Sequence, residues 1–209
     1  MIKVYGFPHS RSLRITWLLE ELGLEYDYQL INLSKGDNRA AEFLAINPAG
    51  KVPVIEDDGL VIFESAAIVS HLSDKYGDAQ IIPAPGTDAR GLFEQWSYFS
   101  VCELEQPLWT IGKHKFALPA KHRVKEIFAT ASWEFQQALK ILSQGLGDKD
   151  YLMGAAFSAV DILVAHTLNW GVKFEQPIPQ ANLNAYRERV MARPARAKAL
   201  ARETQSLEG

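Results

Sequence analysis

Over the first eighty residues the apolar positions switch between a period of two and a period of 3.6. Residues 2–6 read as a short strand. Ile15, Leu18, Leu19 and Leu22 then fall at i, i+3, i+4 and i+7, with Glu20 and Glu21 on the solvent side and Gly23 as the stop. Residues 26–33 predict a second strand and residues 38–44 a short helix. The runs beginning at Val52 and Leu60 form a hairpin turned by Asp58-Gly59, and a helix over residues 65–76 buries Ile68, Val69 and Leu72. A βαβ unit, a helix and a ββα unit in that order predict a four-stranded mixed sheet with helices on its faces.

Beyond residue 80 no convincing strand pattern remains. Residues 78–87, with Pro83, Pro85 and Gly86, carry linker chemistry. The predicted division is 1–78 for an α/β domain, 79–86 for a linker and 87–209 for an all-α domain. Residues 89–111 and 121–146 are long enough for two antiparallel helices, and residues 158–174 supply a strongly apolar third. Ser158 and Asp161 have capping-box spacing at its start, a structural feature. Two further helices, 182–192 and 195–203, flank Arg193-Pro194.

Composition narrows the function classes. The chain has 209 residues and a formal net charge of −3, with both signs spread along it, so no basic face announces nucleic acid or an anionic membrane. No apolar run approaches the roughly 18 residues of a membrane span, and the N-terminus enters a strand rather than a signal peptide, so the expected compartment is the cytoplasm. A single cysteine, Cys102, excludes an internal disulfide or a Cys-x-x-Cys pair, and the five histidines lack zinc-type spacing, so no metal is expected.

Candidate chemistry concentrates in residues 47–68, NPAGKVPVIEDDGLVIFESAAI. Proline cannot donate to a sheet ladder, so Pro53 must start its strand or lie where partner bonds are absent. The backbone of Val52 is then available to another partner. Glu64-Ser65 opens a helix, where free amides and a hydroxyl suit an anion and the carboxylate suits an ammonium. This chemistry fits a small amino-acid-like or peptide-like molecule.

Taken with the loop and helix FPHSRSLRITWLLEELGLEY, the ββα hairpin, the helical second half and the capped helix at Asp161, this segment resembles the cytosolic glutathione S-transferases, over nearly the whole chain. The resemblance implies a thioredoxin-like N-terminal domain (βαβαββα), an all-α C-terminal helical bundle and a homodimer. It implies glutathione as cosubstrate and no metal. A cis Pro53 would leave the Val52 backbone to pair with the cysteinyl residue. Glu64 and Ser65 would hold the γ-glutamyl end and Lys51 the glycyl carboxylate, with Lys35 and Asn38 as lesser candidates.

Ser10, four residues before Arg14, has the spacing of serine-type members resembling the theta and delta classes, and would stabilise the thiolate; Ser12 is the reserve. Tyr5, inside a strand, reads as packing, and no loop cysteine suggests a thiol-transferase. The helical half would carry a small hydrophobic electrophile, with Tyr98, Trp109 and Phe116 as candidate pocket residues. The implied activity is conjugation. Peroxide reduction, dehalogenation, isomerisation and a non-catalytic binding role are the alternatives.

Overall fold

The burial of β1 (Ile2–Gly6) alternates strictly, with Ile2 and Val4 inside and Lys3 and Tyr5 half-covered, as in a strand buried more deeply on one face than on the other. It is the centre of a sheet in this computed structural model, which describes residues 1–207. The chain divides into two units, residues 1–82 together with the chain from 192 onward, and residues 83–191.

In the first unit β2 (Tyr26–Leu30) runs parallel to β1, β3 (Val54–Asp57) antiparallel to β1, and β4 (Leu60–Phe63) antiparallel to β3, giving the order β2-β1-β3-β4. This is the expected mixed sheet. Strand β2 stops short of the predicted residue 33 because Asn32 turns the chain, its Oδ1 accepting the amides of Ser34 and Lys35 at 3.1 and 3.2 Å. Asp58 and Gly59 both take positive φ, 50° and 87°, as a two-residue hairpin turn demands. Helices α1 (Ser12–Glu21) and α3 (Ser65–Tyr76) pack together beside the sheet. On another side Phe43 of the short α2 (Ala41–Ile46) clusters with Val52, Val54, Tyr5 and Phe7.

The second unit is helical. The single helix expected over 89–111 is α4 (Asp88–Phe99) and α5 (Glu105–Gly112), separated by a π-helical turn at 100–104. Pro107 has no amide to give residue 103 and its ring crowds that carbonyl, which widens the preceding turn. The next helix, α6 (Ile127–Leu146), starts six residues later than predicted. Upstream of it the Arg123 guanidinium donates to the carbonyls of Leu118 and Phe116, both at 2.7 Å, and His114 Nδ1 accepts the Val124 amide at 2.9 Å. Such local bonds offer the backbone an alternative to helix. Gly145 of α6 lies under the Trp96 ring, where an added Cβ would stand 2.1 Å from it.

Helices α7 (Ala159–Lys173) and α8 (Ala181–Met191) complete this unit. The capping box is present: Asp161 accepts from the Ser158 amide at 2.8 Å and its hydroxyl at 3.1 Å, and also from the Leu152 amide and the Tyr186 hydroxyl at 2.9 and 2.7 Å. One buried carboxylate thus ties α7, α8 and the preceding loop together.

The last helix, α9 (Pro194–Gln205), departs from expectation. Counted within 87–209 as part of the helical half, it packs instead on α1 in the first unit. Nor do Glu20 and Glu21 face water. Glu21 accepts a forked pair from Arg193, at 2.6 and 2.7 Å, and the Trp17 indole N–H at 2.9 Å. Glu20 accepts the Tyr26 hydroxyl at 3.1 Å, and Arg202 reaches across to the Tyr26 carbonyl and stacks on its ring at 3.8 Å. Arg193, which caps this polar helix, and Arg202 within it thereby cover a face that periodicity alone assigns to solvent.

Under this lid Glu203 is fully buried. Its Oε1 accepts the Thr16 hydroxyl at 2.9 Å, whereas Oε2 and the nearby Tyr28 hydroxyl have no partner among the described protein groups. Burial pushes the Glu203 pKa from 4.5 to about 8, against the opposing pull of Thr16. The folded state therefore keeps a proton that the unfolded chain releases. The associated stability is complete below pH 4.5 and declines by on the order of 1.4 kcal/mol per pH unit until it is lost above about 8. Glu203→Gln, which stays neutral, is expected to flatten this dependence, so that urea denaturation at pH 5, 7 and 9 shows its stability rising relative to the parent; parallel pH profiles would refute the assignment.

Candidate functional site

The loop between β1 and α1 brings two serines together at the helix start. Ser10 Oγ lies 2.8 Å from Ser12 Oγ and accepts the Ser12 amide at 3.1 Å, while Ser12 Oγ accepts the Phe7 amide at 3.1 Å. Ser12 has no exposed surface and Ser10 is half-exposed. A sealed hydroxyl that already accepts from Phe7 must place its proton on the remaining partner, so Ser12 donates to Ser10. Of the two hydroxyls only Ser10 belongs to a residue with surface to meet a ligand.

Arg14 connects this loop to the Glu64-Ser65 pair. Its guanidinium is fully buried and donates from Nη1 to Ser65 Oγ at 3.0 Å. In the sequence Arg14 served only to mark the spacing of Ser10. The available signal was its position, because residues 14, 15, 18 and 19 share the buried face of α1. Ser65 is the first residue of α3 and is 5% exposed, so its hydroxyl and the free amides of that first turn are fixed in place. Glu64 precedes it at φ 75° and ψ 112°, with its side chain exposed. Positive φ is uncommon for a residue bearing a Cβ and marks a backbone held by its surroundings.

Residues 47–53 form the third part. The Val52–Pro53 peptide bond is cis, as expected. Strand β3 begins at Val54, so Val52 lies outside the ladders of β1 and β4 while its side chain is anchored in the Phe43 cluster. The loop is braced by two asparagines. Buried Asn47 donates to the Lys51 carbonyl and Asn38 to the Gly50 carbonyl, each at 2.8 Å. Asn38 is thus a brace rather than a free ligand group, and Asn47 escaped the sequence reading. Lys51 is exposed.

Tyr5 is packing, as its strand position predicts: its ring sits 6.2 Å from that of Phe43 and its hydroxyl donates to Glu56. The Asp57–His71 pair, at 2.8 Å, resembles half of a catalytic triad. Asp57 is nevertheless shared with Lys75 and Tyr76, at the opposite end of β3 from Val52. Burial works to raise its pKa, but these three hydrogen bonds prevail and hold it down at about 2, which suits a structural clasp.

In the helical unit Trp109 and Phe116 belong to one row of rings, Trp109–Trp170–Phe174–Phe116, with successive centroids 6.4, 5.5 and 6.3 Å apart. Trp170 and Phe174 were not anticipated, although their i, i+4 spacing at the C-terminal end of α7, which Phe174 caps, is the visible signal. Tyr98 is 61% exposed on α4 and takes no part in the row. Among the described residues no group of three or more His, Cys, Asp or Glu side chains is placed to hold a metal ion, and no helix is long and apolar enough to cross a membrane.

Comparison with known proteins agrees with this geometry. Residues 1–74 match the glutathione S-transferase N-terminal domain and residues 106–194 its C-terminal domain. The chain is 35% identical over 171 residues to glutathione S-transferase hmp2 of Hypomyces subiculosus, covering 78% of each. It is 30% identical over 208 residues to the disulfide-bond oxidoreductase YfcG of Escherichia coli K12, covering 96% of this chain and 94% of that protein. The crystal structure of a glutathione transferase homologue from Lodderomyces elongisporus, with two GSH per subunit, superposes with a TM-score of 0.85 at 25% identity, covering 96% and 97% of the two chains. A thioredoxin-like sheet domain followed by a helical domain is the architecture of this class, and the chain belongs to the glutathione S-transferase family.

Removing the bond between the two halves of the site has a measurable cost. Arg14→Met keeps the buried volume but leaves the Ser65 hydroxyl without its donor, and is expected to lower stability by about 1.5–3 kcal/mol in urea denaturation. A loss below about 0.5 kcal/mol would show that Ser65 is held by other means.

Proposed function

We propose that the protein conjugates the glutathione thiolate to small apolar electrophiles, with Ser10 as the residue that meets the sulfur. The observation that carries this reading is the pair at the start of α1, where a sealed Ser12 orients a half-exposed Ser10 hydroxyl. A free thiol has a pKa of about 8.5 and only its thiolate is an effective nucleophile. A hydroxyl donating to sulfur beside a helix N-terminus favours the charged form. The thiol proton leaves to solvent. Sulfur then bonds to the electrophilic carbon, and in a haloarene the carbon–halogen bond breaks with release of halide.

The proposed orientation of the tripeptide uses the remaining groups. The backbone of Val52, outside the sheet ladder, pairs with the cysteinyl residue as an added strand would. Ser65 and the first-turn amides of α3 take the γ-glutamyl carboxylate, Glu64 its ammonium and Lys51 the glycyl carboxylate. The glutathione-bound Lodderomyces elongisporus homologue supports the ligand. Trp109 and Phe116, with Tyr98 from the same aromatic-rich stretch, supply the apolar surface for the electrophile. We further propose a cytoplasmic homodimer acting without metal, nucleic acid or membrane. Leu60, Val61 and Phe63, 43–51% exposed along the edge strand β4, support an association surface.

A second reading, glutathione-dependent reduction of disulfides, is favoured by the likeness to YfcG across 96% of the chain. With no cysteine in the β1–α1 loop, that chemistry would rely on the sulfur of glutathione itself.

Ser10→Ala is expected to lower kcat for halonitroarene conjugation by about tenfold or more and to raise the midpoint of its pH–rate profile, with the glutathione Kd changed less than about threefold. Ser12→Ala is expected to give a smaller kcat effect, since water can replace its donor role. A silent Ser10→Ala beside an inactive Ser12→Ala would reverse the two roles. Failure of the parent protein to bind glutathione at millimolar concentration in calorimetry would end the reading.

A further inference from the structure

The chemistry proposed above uses the outward side of the Ser10–Ser12 pair and leaves a buried acid behind it without a task. Glu203 has no exposed surface, its Oε1 accepts the Thr16 hydroxyl at 2.9 Å, and Oε2 has no partner among the described protein groups. Thr16 lies about one helical turn beyond Ser12, and its hydroxyl also stands 3.5 Å from the Ser12 carbonyl. The acid is therefore seated just inside the helix start. A second connection runs through β2. A Cβ on Gly6 would stand 2.8 Å from both Ser12 Cβ and the Tyr28 hydroxyl, so the bare glycine lets Tyr28 lie against Ser12. Burial first, and the Glu203 charge after it, hold the Tyr28 pKa above its usual range, which puts that hydroxyl within electrostatic reach of Glu203.

The charged and titratable groups around Glu203 do not neutralise it. Tyr26 and Tyr28 of β2 both feel its charge, and burial foremost keeps both protonated. Helix α1 adds Glu20, an acid already held by the Tyr26 hydroxyl and 3.9 Å from Arg202. On α9 itself Arg202 is spent on the Tyr26 carbonyl and ring, and Arg196 lies about two turns back along the helix. Among the described residues no cation pairs with Glu203. Burial outweighs the Thr16 bond, and the carboxyl stays neutral until about pH 8. Once ionised, it places a negative charge unscreened by water within the helix whose positive end faces a bound thiolate.

We infer that Glu203 is a positioning residue for the thiol site: acting through Thr16 and the first turn of α1, it keeps the interior behind Ser10 neutral, and its ionisation weakens the hold of that helix start on a thiolate. This rests on the reading that the glutathione sulfur meets Ser10. Six residues separate Ser10 from Thr16, so the two charges stand on the order of 10 Å apart. At that range inside a protein, like charges disfavour each other by about tenfold. Coupling is reciprocal, so a bound thiolate makes Glu203 harder to ionise by the same factor.

The test compares glutathione with S-methylglutathione, whose sulfur has no proton to lose, by calorimetry on the intact protein. Parent and Glu203→Gln should bind glutathione within about twofold of each other at pH 6.5, and at pH 9.5 the parent should bind it about fivefold or more weakly than the variant. S-methylglutathione should show no such difference at either pH. Thr16→Val removes the hydrogen bond that favours the ionised acid, and should move the onset of the loss to higher pH. Should Glu203→Gln disturb the fold, an onset unmoved by Thr16→Val would overturn the inference. A parent-to-variant ratio for glutathione that is the same at both pH values would also overturn it. So would an equal change with S-methylglutathione, since the charge would then act on the fold and not on the sulfur. Failure of the parent to bind either ligand would instead end the glutathione reading, and the inference with it.

Discussion

The complete enclosure of helix α1 is the constraint from which the first unit is built. Residues 12–19 have lost essentially all contact with water, and the two glutamates that follow are covered by Arg193, which caps α9, and Arg202 within it. A helix buried on every side must satisfy each polar group internally. Arg14 does so through Ser65, Thr16 through Glu203, Trp17 through Glu21, and Ser12 through Phe7 and Ser10. Each bond reaches a different part of the unit. The enclosed helix therefore fixes the start of α3, the seat of α9 and the Ser10 loop at once, and the proposed thiol-binding hydroxyl is held by partners that cannot move without opening the core.

The two candidate surfaces are made in different ways. On the sheet unit the ligand groups are backbone atoms and short polar side chains, held by loops whose own bonds are accounted for: Asn47 and Asn38 brace residues 47–53, and Arg14 holds Ser65. Such a site presents fixed dipoles to a ligand of fixed chemistry, which suits a constant cosubstrate. On the helical unit the surface is a row of rings carried at helical spacing on α5 and α7 and ended by a clamped cationic turn. Rings offer area and little directionality, unlike the fixed polar groups of the sheet unit.

Legibility followed the same division. The hairpin, the helix start at Glu64-Ser65, the capping box at Asp161 and the packing role of Tyr5 were all readable, because each is a local rule written in adjacent residues, whereas the cis bond before Pro53 came from the family resemblance. The partnership of Arg14 with Ser65 was not, since 51 residues separate them and a position on the buried face of α1 does not say which group the guanidinium meets. Similar reasons hid the break at Pro107, where apolar periodicity continues unbroken, and the late start of α6, where Arg123 and His114 hold the backbone out of a helix that propensity allows.

By itself the sequence determined the order of the strands, the mixed sheet, the hairpin and helix start within residues 47–68 and the absence of thiol-based redox pairs, because period, turn chemistry and residue count are properties of the chain alone. Only the tertiary structure decided that α9 belongs with the sheet, that Ser12 is sealed while Ser10 is not, and that Trp170 and Phe174 join Trp109 and Phe116. Burial and contact across tens of residues depend on how the elements pack, and a polar helix such as α9 carries no mark of its partner until two arginines meet two glutamates.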